Sequence, residues 1–498
     1  MNVSKLTADD LTERVRLLNT PDISSLLNVH EVFTLEKTQR WFDRIKDDPT
    51  RYDVAFKDGS QVVGMAGLVN ISDADRNGEM YIYIDPKCQG SGHGKEGLSS
   101  LINYAFDTLN LEKVYVKTFL SNDRANRFYE RLGFVREGLL RRHTLHGGKL
   151  EDRCIYSLFR EKMNILFTCV GRRNYLLQYF RESLEEGDVI FATDMSDTAP
   201  GMAEADHPII VPSVYDEAYP DVIANIVREH HIDAIISLND LEAPILSKAR
   251  KQIEENGCRL IVSDDRVIDI TFDKKKTADF LTSIGLNTPL TYTSVTDFEE
   301  GLSRGDIDFP IVVKPRWGSA SIGIEMPESR EEFELVQALS ELKLGRTILA
   351  TASAADRDRA ILYQEKITGT EYGLDVLNDF EGNYIGTFAR KKLNMRSGET
   401  DKAETVIIPE IEEIGRTISK HLRHFGNLDC DVLERDGRYY VLEMNARFGG
   451  GYPFSHEGGA HGSACYVSWL RGEQDVTRHL DYTPGLTFSK CDRLIRVK

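Results

Sequence analysis

Residues 431–451, DVLERDGRYYVLEMNARFGGG, alternate between polar and apolar positions, and this pattern predicts two short strands. The strands would join at the Asp-Gly pair 436–437, a dipeptide typical of tight hairpins. Alternation along the second strand places Leu442, Met444 and Ala446 on an apolar face. It turns the remaining side chains toward a cleft as one polar face: Glu443, Asn445 and Arg447.

The register of this predicted hairpin decides whether it can hold a cation. A two-residue turn would pair Cys430 with Glu443. A three-residue loop that ends in a left-handed Gly437 would instead set Asp431 directly opposite Glu443. We predict the second register, because two facing acids repel unless a cation lies between them, and carboxylate and amide oxygens suit Mg²⁺ or Mn²⁺. The alternative is an ordinary amphipathic hairpin with a solvated charged face.

The N-terminal region shows a different pattern. Three strand-like runs precede a glycine-rich stretch, QGSGHGKEG at 89–97, and an amphipathic helix at 98–109. A strand, a glycine-rich turn and a helix N-terminus form an anion site, because backbone N–H groups and the helix dipole converge there. The pattern therefore indicates a phosphate-binding loop, with a plain tight turn as the alternative.

Short buried strands alternate with helical segments from residue 163 onwards. The first strand lies in MNILFTCVG at 163–171, and this alternation is typical of a doubly wound parallel sheet. Gly171 is followed by two arginines rather than by the GxGxxG pattern, which argues against a dinucleotide site. Asp240 and Glu242 follow a later strand, either as substrate-binding groups or as solvated loop acids.

Composition narrows the class of protein. A chain of 498 residues is too long for one core, so two to four domains are expected. The net charge of −18 argues against unspecific binding to nucleic acid or to anionic membranes. Seven cysteines without CxxC spacing indicate reduced thiols. The sequence shows neither an apolar leader nor a run long enough to span a membrane, so we expect a cytoplasmic protein.

Residues 1–162 resemble the GNAT N-acetyltransferases. The Q/R-x-x-G-x-G/A loop of that family matches Gln89, Gly92 and Gly94, and its next segment is similar to SNDRANRFYERLGFVREG at 121–138. The resemblance implies that acetyl-CoA is held by these residues: Gln89, Gly90, Gly92, Gly94, Lys95, Asn122 and Asn126.

The same resemblance implies two catalytic roles. Tyr129 would protonate the leaving CoA thiolate, with a purely packing role as the alternative. Glu79 would act as base toward an ammonium substrate. The hairpin at 137–160 is similar to that of GNAT enzymes that acetylate amino sugars or protein N-termini.

The rest of the chain resembles carbamoyl-phosphate-synthase-like ligases. Residues 163–270 are similar to a pre-ATP-grasp domain, and residues 271–498 to an ATP-grasp domain. The second resemblance is carried by Lys274, Lys314, Glu371 and the D…E-x-N-x-R pattern in that order. The predicted fold class is therefore α/β multidomain: a GNAT α+β domain, a doubly wound parallel sheet and an ATP-grasp α+β domain.

The ATP-grasp resemblance implies a role for each group of residues. Lys274 and Lys314 would neutralise phosphates beneath a loop that begins at Gly318, and Arg447 would stabilise the transferring γ-phosphoryl group. The adenine edge and the ribose would be bound by Glu365, Ile367 and Glu371. The metal ligands would be Asp431, Glu443 and Asn445.

Three basic residues of the segment 389–406 are candidates for binding a substrate carboxylate or acyl phosphate: Arg390, Arg396 and Lys402. A solvated charged loop is the alternative. The loop WGSASIG at 317–323 has fewer glycines than its counterpart in carbamoyl phosphate synthetase, and the chain holds one ATP-grasp copy. Both features argue against carbamate chemistry.

These resemblances imply a bifunctional enzyme, an N-acetyltransferase joined to an ATP-dependent carbon–nitrogen ligase. Its cofactors would be acetyl-CoA, ATP and Mg²⁺ or Mn²⁺, and its partners a small-molecule carboxylate and an amine, with no nucleic acid and no membrane. The enzyme would act in the biosynthesis of a surface polysaccharide, on an amino sugar, or of a small peptide-like metabolite. The alternatives are a ligase with a regulatory acetyl-CoA-binding module and a peptide N-acetyltransferase fused to a ligase. The sequence leaves a homodimer open.

Overall fold

The computed structural model describes residues 1–26, 32–59, 61–146, 148–160, 162–318, 323–347, 349–396 and 398–497. The chain divides into two compact units, Met1–Glu161 and Lys162–Lys498. Within the described ranges, no helix has both the length and the apolar character needed to cross a membrane.

The first unit is built on one seven-stranded sheet in the order β1-β2-β3-β4-β5-β7-β6. The strands are β1 (Asn2–Lys5), β2 (Tyr52–Asp58), β3 (Gln61–Ser72), β4 (Asn77–Ile84), β5 (Lys113–Phe119), β6 (Val135–His146) and β7 (Lys149–Phe159). Neighbouring strands run antiparallel except β4 and β5, which are parallel.

Helices cover both faces of this sheet. They are α1 (Leu11–Leu18), α2 (Pro21–Ser24), α3 (Leu35–Ile45), α4 (His93–Asn103) and α5 (Asp123–Arg131). The apolar side chains of α4 and α5 pack on one face, and those of α1 and α3 pack on the other. Helix α4 begins five residues before the predicted start at 98, because the left-handed Gly92 (φ 92°) caps it inside the glycine-rich stretch.

The second unit opens with a five-stranded parallel sheet in the order β10-β9-β8-β11-β12, which confirms the predicted doubly wound arrangement. The strand order reverses between β8 and β11, so the carboxyl ends of these two strands flank a topological switch point. The elements are β8 (Asn164–Thr168), α6 (Asn174–Arg181), β9 (Val189–Asp194), β10 (His207–Ile210), α7 (Tyr219–His230), β11 (Ala234–Ser237), α8 (Ala243–Glu254), β12 (Arg259–Ile261) and α9 (Asp265–Phe272).

A small and a large antiparallel sheet complete the second unit. The small sheet has the order β13-β15-β14, and its segment contains α10 (Lys274–Ser283), β13 (Thr291–Tyr292), α11 (Val295–Arg304), β14 (Ile311–Pro315), α12 (Arg330–Leu344), α13 (Ala350–Ser353) and β15 (Ile361–Glu365). The large sheet has the order β20-β19-β16-β17-β18-β21. It is formed by β16 (Thr370–Asn378), β17 (Tyr384–Arg396), β18 (Glu399–Val406), α14 (Pro409–Leu422), β19 (Asn427–Arg435), β20 (Arg438–Asn445), α15 (Tyr452–Glu457), α16 (Gly462–Leu470) and β21 (Thr487–Ser489).

The two faces of the large sheet differ in chemistry. One face buries apolar side chains such as Leu374, Cys430 and Met444 against Leu281 of α10 and Ile418 of α14. Because side chains alternate along a strand, the opposite face receives the polar residues of the same strands. That polar face carries the residues predicted for the metal and part of the nucleotide site.

Candidate active sites

The hairpin formed by β19 and β20 places Asp431 directly opposite Glu443, as the sequence predicts. The predicted three-residue loop, however, is wrong. The connection has two residues, Asp436 and Gly437, with φ values of 53° and 75°. Positive φ at both positions gives the turn the twist that matches two antiparallel strands.

A β-bulge, rather than the turn, brings the two acids together. Val432 pairs with Val441, whereas the next pair is Asp431 with Glu443, so Leu442 is an extra residue in β20. A bulge of this kind shifts every later residue of the strand by one position in the ladder. Without it, the carboxylates of Asp431 and Glu443 would lie on opposite faces.

Charged side chains from four strands share the polar face of the large sheet. Directly paired residues lie on the same face, and the ladders join β16 to β17 and β19, and β19 to β20. The members of this polar face are Glu371, Gly373, Asp375, Arg390, Lys392, Asp429, Asp431, Glu443 and Asn445. The sheet therefore presents alternating acids and bases around the facing acid pair.

Lys392, which the sequence analysis did not assign, bridges two of the predicted site acids. Its Nζ donates at 2.6 Å to Glu371 Oε1 and at 2.6 Å to Asp431 Oδ1. Burial raises the pKa of Asp431 to about 6 even though Lys392 favours the ionised carboxylate, because the charge of Glu443 adds to the rise. The alternation within ARKKLN at 389–394 is the signal that could have identified this lysine.

The two predicted phosphate-binding lysines converge on the same acids. Lys274 starts α10, donates to the main-chain oxygen of Gly318 and lies 3.8 Å from the Glu443 carboxylate. Lys314 lies in β14 with only 7% of its surface exposed. Burial lowers the pKa of Lys314 to about 8, although the nearby charge of Glu443 opposes the shift. A polyphosphate bound beside a buried ammonium group of this kind would stabilise its charge.

The affinity for ADP should therefore fall as the pH rises above about 8, where the free protein loses the Lys314 proton. Phosphate favours the charged lysine, so its pKa is higher in the complex, and binding then takes up a proton. The expected slope approaches about tenfold per pH unit. Lys314→Arg, whose charge is constant, should bind without this slope, and titration calorimetry at pH 7 to 10 measures both. A flat wild-type profile, or a slope that survives in Lys314→Arg, would contradict the role.

The predicted nucleotide-binding residues lie where the small sheet passes into the large one. The main-chain N–H of Glu365 donates to Leu290 O at 2.9 Å, and its carboxylate accepts from Arg435 at 3.2 Å. Ile367 is buried in the short segment between β15 and β16. Gly318 has a φ of 121°, and most of the predicted loop from Gly318 to Gly323 lies outside the described residues.

Arg447 is held by acids from two different sheets. Its Nη2 donates to Asp240 Oδ2 at 2.7 Å, and its Nη1 donates to Asp429 Oδ2 at 3.2 Å. Burial alone would raise the pKa of Asp240, but the Arg447 guanidinium holds that pKa below its ordinary value. Asp240 is therefore a partly buried ion-pair partner, with 11% of its side chain exposed, rather than a solvated loop acid.

Arg390 lies inside the polar face, with 1% of its surface exposed. It donates to Asp375 at 2.6 Å and to Asp429 at 3.1 Å. A Cβ added at Gly373 or Gly451 would come within 2.8 Å or 2.2 Å of this guanidinium, so both glycines make room for it. Such burial leaves no surface for a substrate, and the predicted direct substrate contact by Arg390 does not fit its position.

The other two predicted substrate-binding residues lie at the surface. Arg396 is exposed and pairs with Asp401 at 3.2 Å and Asp492 at 3.0 Å, while Lys402 is exposed in β18. Glu242 is in contrast fully buried. Burial raises its pKa, and its carboxylate accepts hydrogen bonds from three hydroxyl groups: Thr168, Tyr219 and Ser237.

In the first unit, the parallel ladder between β4 and β5 ends early. Its last pair is Glu79 with Tyr115, whereas β4 continues to Ile84 and β5 to Phe119. Beyond this pair the two strands separate, and backbone groups along their facing edges become available to a ligand. The opening lies between the glycine-rich loop after β4 and the start of α5.

The glycine-rich loop has the backbone that a phosphate site requires. Gly90 and Gly92 have φ values of 85° and 92°, in the region that favours glycine. Gln89 accepts a hydrogen bond from Arg124 at 2.6 Å and donates to Ile84 O at 3.2 Å, which orients the loop. The loop leads into the N-terminus of α4, which contains Gly94 and the exposed Lys95.

Asn122 and Asn126 fasten α5 to the end of β5. Asn122 caps the helix by accepting from the Ala125 N–H at 3.1 Å. Asn126 is buried, accepts from Thr118 Oγ1 at 2.5 Å and donates to Phe119 O at 3.4 Å. These bonds fix the helix that carries Tyr129 beside the strand opening.

Tyr129 and Glu79 lie in different environments. Tyr129 is buried between the rings of Phe128 and Phe134, and burial raises the pKa of its hydroxyl. It therefore keeps its proton at neutral pH, as an acid must before it donates. Glu79 accepts from Lys117 Nζ at 2.8 Å, so its charge is already compensated.

The facing acids Asp431 and Glu443 offer the oxygen ligands that a hard cation such as Mg²⁺ prefers. Within the described residues, no three or more His, Cys, Asp or Glu side chains are grouped in a way that could hold a metal ion. The facing carboxylates of Asp431 and Glu443, together with the amide oxygen of Asn445, nevertheless form an all-oxygen set on neighbouring strands. Such a set fits Mg²⁺, which also takes oxygen ligands from nucleotide phosphates.

Three family models match separate parts of the chain. The models that match are the acetyltransferase (GNAT) domain at residues 1–135, the N-terminal domain of PylC-like proteins at 165–261 and the ATP-grasp domain at 271–451.

Individual relatives cover the two halves separately. The spermidine N(1)-acetyltransferase of Vibrio cholerae is 32% identical over 108 residues, which are 22% of this chain and 62% of that enzyme. The carbamoyl phosphate synthase large chain of Campylobacter jejuni is 24% identical over 219 residues, 42% of this chain and 19% of that protein. Each relative is therefore matched over less than two thirds of its length. The biotin carboxylase of Campylobacter jejuni superposes with a TM-score of 0.51 at 16% identity, covering 64% of this chain and 73% of that enzyme, and shares the fold.

Proposed function

Because the chain joins a GNAT acetyltransferase domain to an ATP-grasp domain, we propose that it is a bifunctional enzyme that forms two kinds of amide bond. The observation that carries the ligase half is the convergence of Lys274 and Lys314 on Glu443, opposite Asp431. Two lysines that could bind phosphates therefore lie beside two acids that could bind a metal.

The proposed ligase reaction has two steps. A carboxylate oxygen of the substrate attacks the γ-phosphorus of ATP, and the bond to ADP breaks to give an acyl phosphate. The lone pair of an amine then attacks the acyl carbon, and phosphate leaves while the amine loses a proton. The sum is an amide, ADP, phosphate and one proton. Activation is needed because a carboxylate is a poor electrophile, whereas phosphate is a good leaving group.

The residues of the polar face and their neighbours would each have a separate role in this reaction. Lys274 and Lys314 would bind the phosphate oxygens, and Arg447, oriented by Asp240 and Asp429, would stabilise the charge on the transferring phosphoryl group. Asp431, Glu443 and Asn445 would hold Mg²⁺, which would supply positive charge opposite that of the phosphates. We place Glu371 and the main chain near Glu365 and Ile367 against the nucleoside.

The proposed acetyltransferase reaction takes place in the first unit. An amine lone pair attacks the thioester carbonyl of acetyl-CoA, and the carbon–sulfur bond breaks to release CoA thiolate. Tyr129 would protonate that thiolate, and the amine proton would pass to a base, for which Glu79 is the candidate. The glycine-rich loop after β4 and the N-terminus of α4 would hold the pyrophosphate.

Tyr129→Phe should slow acetyl transfer by about 100-fold and leave the affinity for acetyl-CoA unchanged, because a general acid contributes to the chemical step rather than to binding. Timed assays of CoA release measure the rate of acetyl transfer, and titration calorimetry with acetyl-CoA measures the affinity. Tyr156→Phe is the matched control, since the buried Tyr156 donates its hydroxyl to Glu130 instead. Equal turnover in wild type and Tyr129→Phe would reduce Tyr129 to a packing residue.

Assays with different amines distinguish a catalytic first unit from a regulatory module that only binds acetyl-CoA. The relative named as a spermidine acetyltransferase makes polyamines the first class to assay, followed by amino sugars and peptide N-termini. We expect CoA release with one of these amines in the absence of ATP. Binding of acetyl-CoA without turnover on any amine would instead favour a regulatory module attached to a ligase.

A further inference from the structure

We propose that Arg173 and Arg447 form an oxyanion-binding subsite for the substrate of the ligase, next to the phosphoryl-transfer site. The ligand is the carboxylate of that substrate before phosphorylation and its acyl phosphate afterwards. This inference rests on the proposed ligase function, and it adds a residue from the parallel sheet to a site otherwise built by the ATP-grasp domain.

The position of Arg173 in the fold is the first reason. It lies in the turn between β8 and α6, and Asp240 follows β11. These strands are neighbours in the sheet, and the strand order reverses between them. In open parallel sheets, ligands bind in the crevice beyond the carboxyl ends of the strands at such a switch point.

The second reason is an imbalance of charge between two neighbouring guanidinium groups. Arg173 donates an Nη1 hydrogen bond to Phe448 O, and Arg447 donates to the same oxygen at 3.1 Å. Among the described residues, the ion pairs join Arg447 to Asp240 and Asp429, whereas none joins Arg173 to an acid. Burial and the repulsion of Arg447 lower the pKa of Arg173, although the nearby charges of Asp240 and Asp429, which form no ion pair with it, oppose the shift.

The third reason is an unused donor on Arg447. Its side chain is only 9% exposed, and its Nε is buried without a hydrogen-bond partner. Asp240 and Asp429 fix both terminal nitrogens, so the guanidinium cannot turn to satisfy this donor elsewhere. A buried donor left unpaired loses the hydrogen bonds that it makes with water in the unfolded chain, and this destabilises the free protein. An oxyanion lodged against both arginines would supply an acceptor for this N–H and a counter-charge for Arg173.

The chemistry of the pair favours an oxyanion. A guanidinium offers several N–H donors in one plane and matches carboxylate and phosphoryl oxygens. The N-terminus of the eight-residue helix α6 begins directly after Arg173 and adds positive potential.

Binding of inorganic phosphate and of acetate tests this subsite. The full-length protein is saturated with ADP and Mg²⁺ and titrated calorimetrically with each probe. Arg173→Gln should weaken phosphate binding at least tenfold while the affinity for ADP stays within twofold. The phosphate affinity of Arg173→Lys should lie between those of the wild type and Arg173→Gln. Arg172→Gln is the matched control, because this exposed arginine is one residue away and should bind like the wild type. Competition between acetate and phosphate identifies a carboxylate subsite, and binding of phosphate alone identifies a phosphoryl subsite.

Two results would overturn the inference in distinguishable ways. Normal ADP binding with equal phosphate affinity in wild type and Arg173→Gln removes the subsite and leaves the ligase function intact. If the wild-type protein binds ADP but neither phosphate nor acetate, the subsite is likewise absent and the ligase function stays. A wild-type chain that binds no ADP removes the ligase function itself. Thermal unfolding of each variant shows whether a loss comes from misfolding, in which case Arg173→Lys decides the outcome.

Discussion

Replacing Glu443 with glutamine is expected to lower ATP-dependent turnover by about 1000-fold, because charge stabilisation by a metal at the phosphates contributes several kcal/mol. Glu443 faces Asp431 across the ladder and lies 3.8 Å from Lys274, so its charge would serve both the proposed metal and the lysine. The rate of ADP formation, measured over a series of Mg²⁺ concentrations, checks this. The variant should also require more Mg²⁺ for half-maximal rate.

Glu410→Gln is the matched control for this substitution. Glu410 is an exposed acid in the first turn of α14, so its loss should leave the rate within twofold. Acetyl transfer by the first unit should be unchanged in both variants. A Glu443→Gln enzyme that retains wild-type turnover and the same Mg²⁺ dependence would remove Glu443 from the site.

Replacing Arg390 with methionine should have the largest effect on stability. The substitution leaves Asp375 buried at 1% exposure without the cation 2.6 Å away, and breaking a buried pair in this way costs about 3–5 kcal/mol. Chemical denaturation of the second unit measures the loss in the free energy of unfolding. Burial raises the pKa of Asp375 already in the wild type. The deficit should therefore shrink as the pH is lowered toward that pKa, because a protonated Asp375 needs no counter-charge.

Arg416→Met provides the comparison for an exposed pair. Arg416 lies 2.8 Å from Glu412 on α14 with half of its side chain exposed, and such pairs contribute about 0–1 kcal/mol. Equal losses in the two variants would mean that the Arg390 pair does not organise the polar face. A deficit that grows as the pH falls would also contradict the expected role of Asp375.

Local patterns were sufficient to predict most elements of the fold. The strand predicted within MNILFTCVG at 163–171 is β8 (Asn164–Thr168), because a short run of apolar and β-branched residues gives way there to a turn. The polar face was likewise predictable from alternation. The bulge at Leu442 was not, because two registers of one hairpin fit the same alternation, and the sequence does not mark which strand carries an extra residue.

Partners that lie far apart in the chain account for the remaining errors. Asp240 and Arg447 are 207 positions apart, and alternation shows which face a side chain occupies but not which charge from another sheet it meets. The sequence places Arg390 in a basic segment and predicts that it faces the substrate, yet the strand carries it inward to Asp375. In the sequence, Arg173 only departs from a dinucleotide motif, and its proximity to Phe448 exists only in the folded chain.

Transfer of ¹⁸O from the carboxylate substrate to inorganic phosphate is the most direct test of acyl-phosphate ligation in the second unit. A panel of carboxylates and amines is first screened for the pair that supports ADP formation, and the carboxylate is then labelled in both oxygens. We expect one labelled oxygen in each phosphate released, with ADP, phosphate and amide formed in equal amounts. Unlabelled phosphate, or ADP formation that does not depend on the carboxylate, would contradict the proposed function.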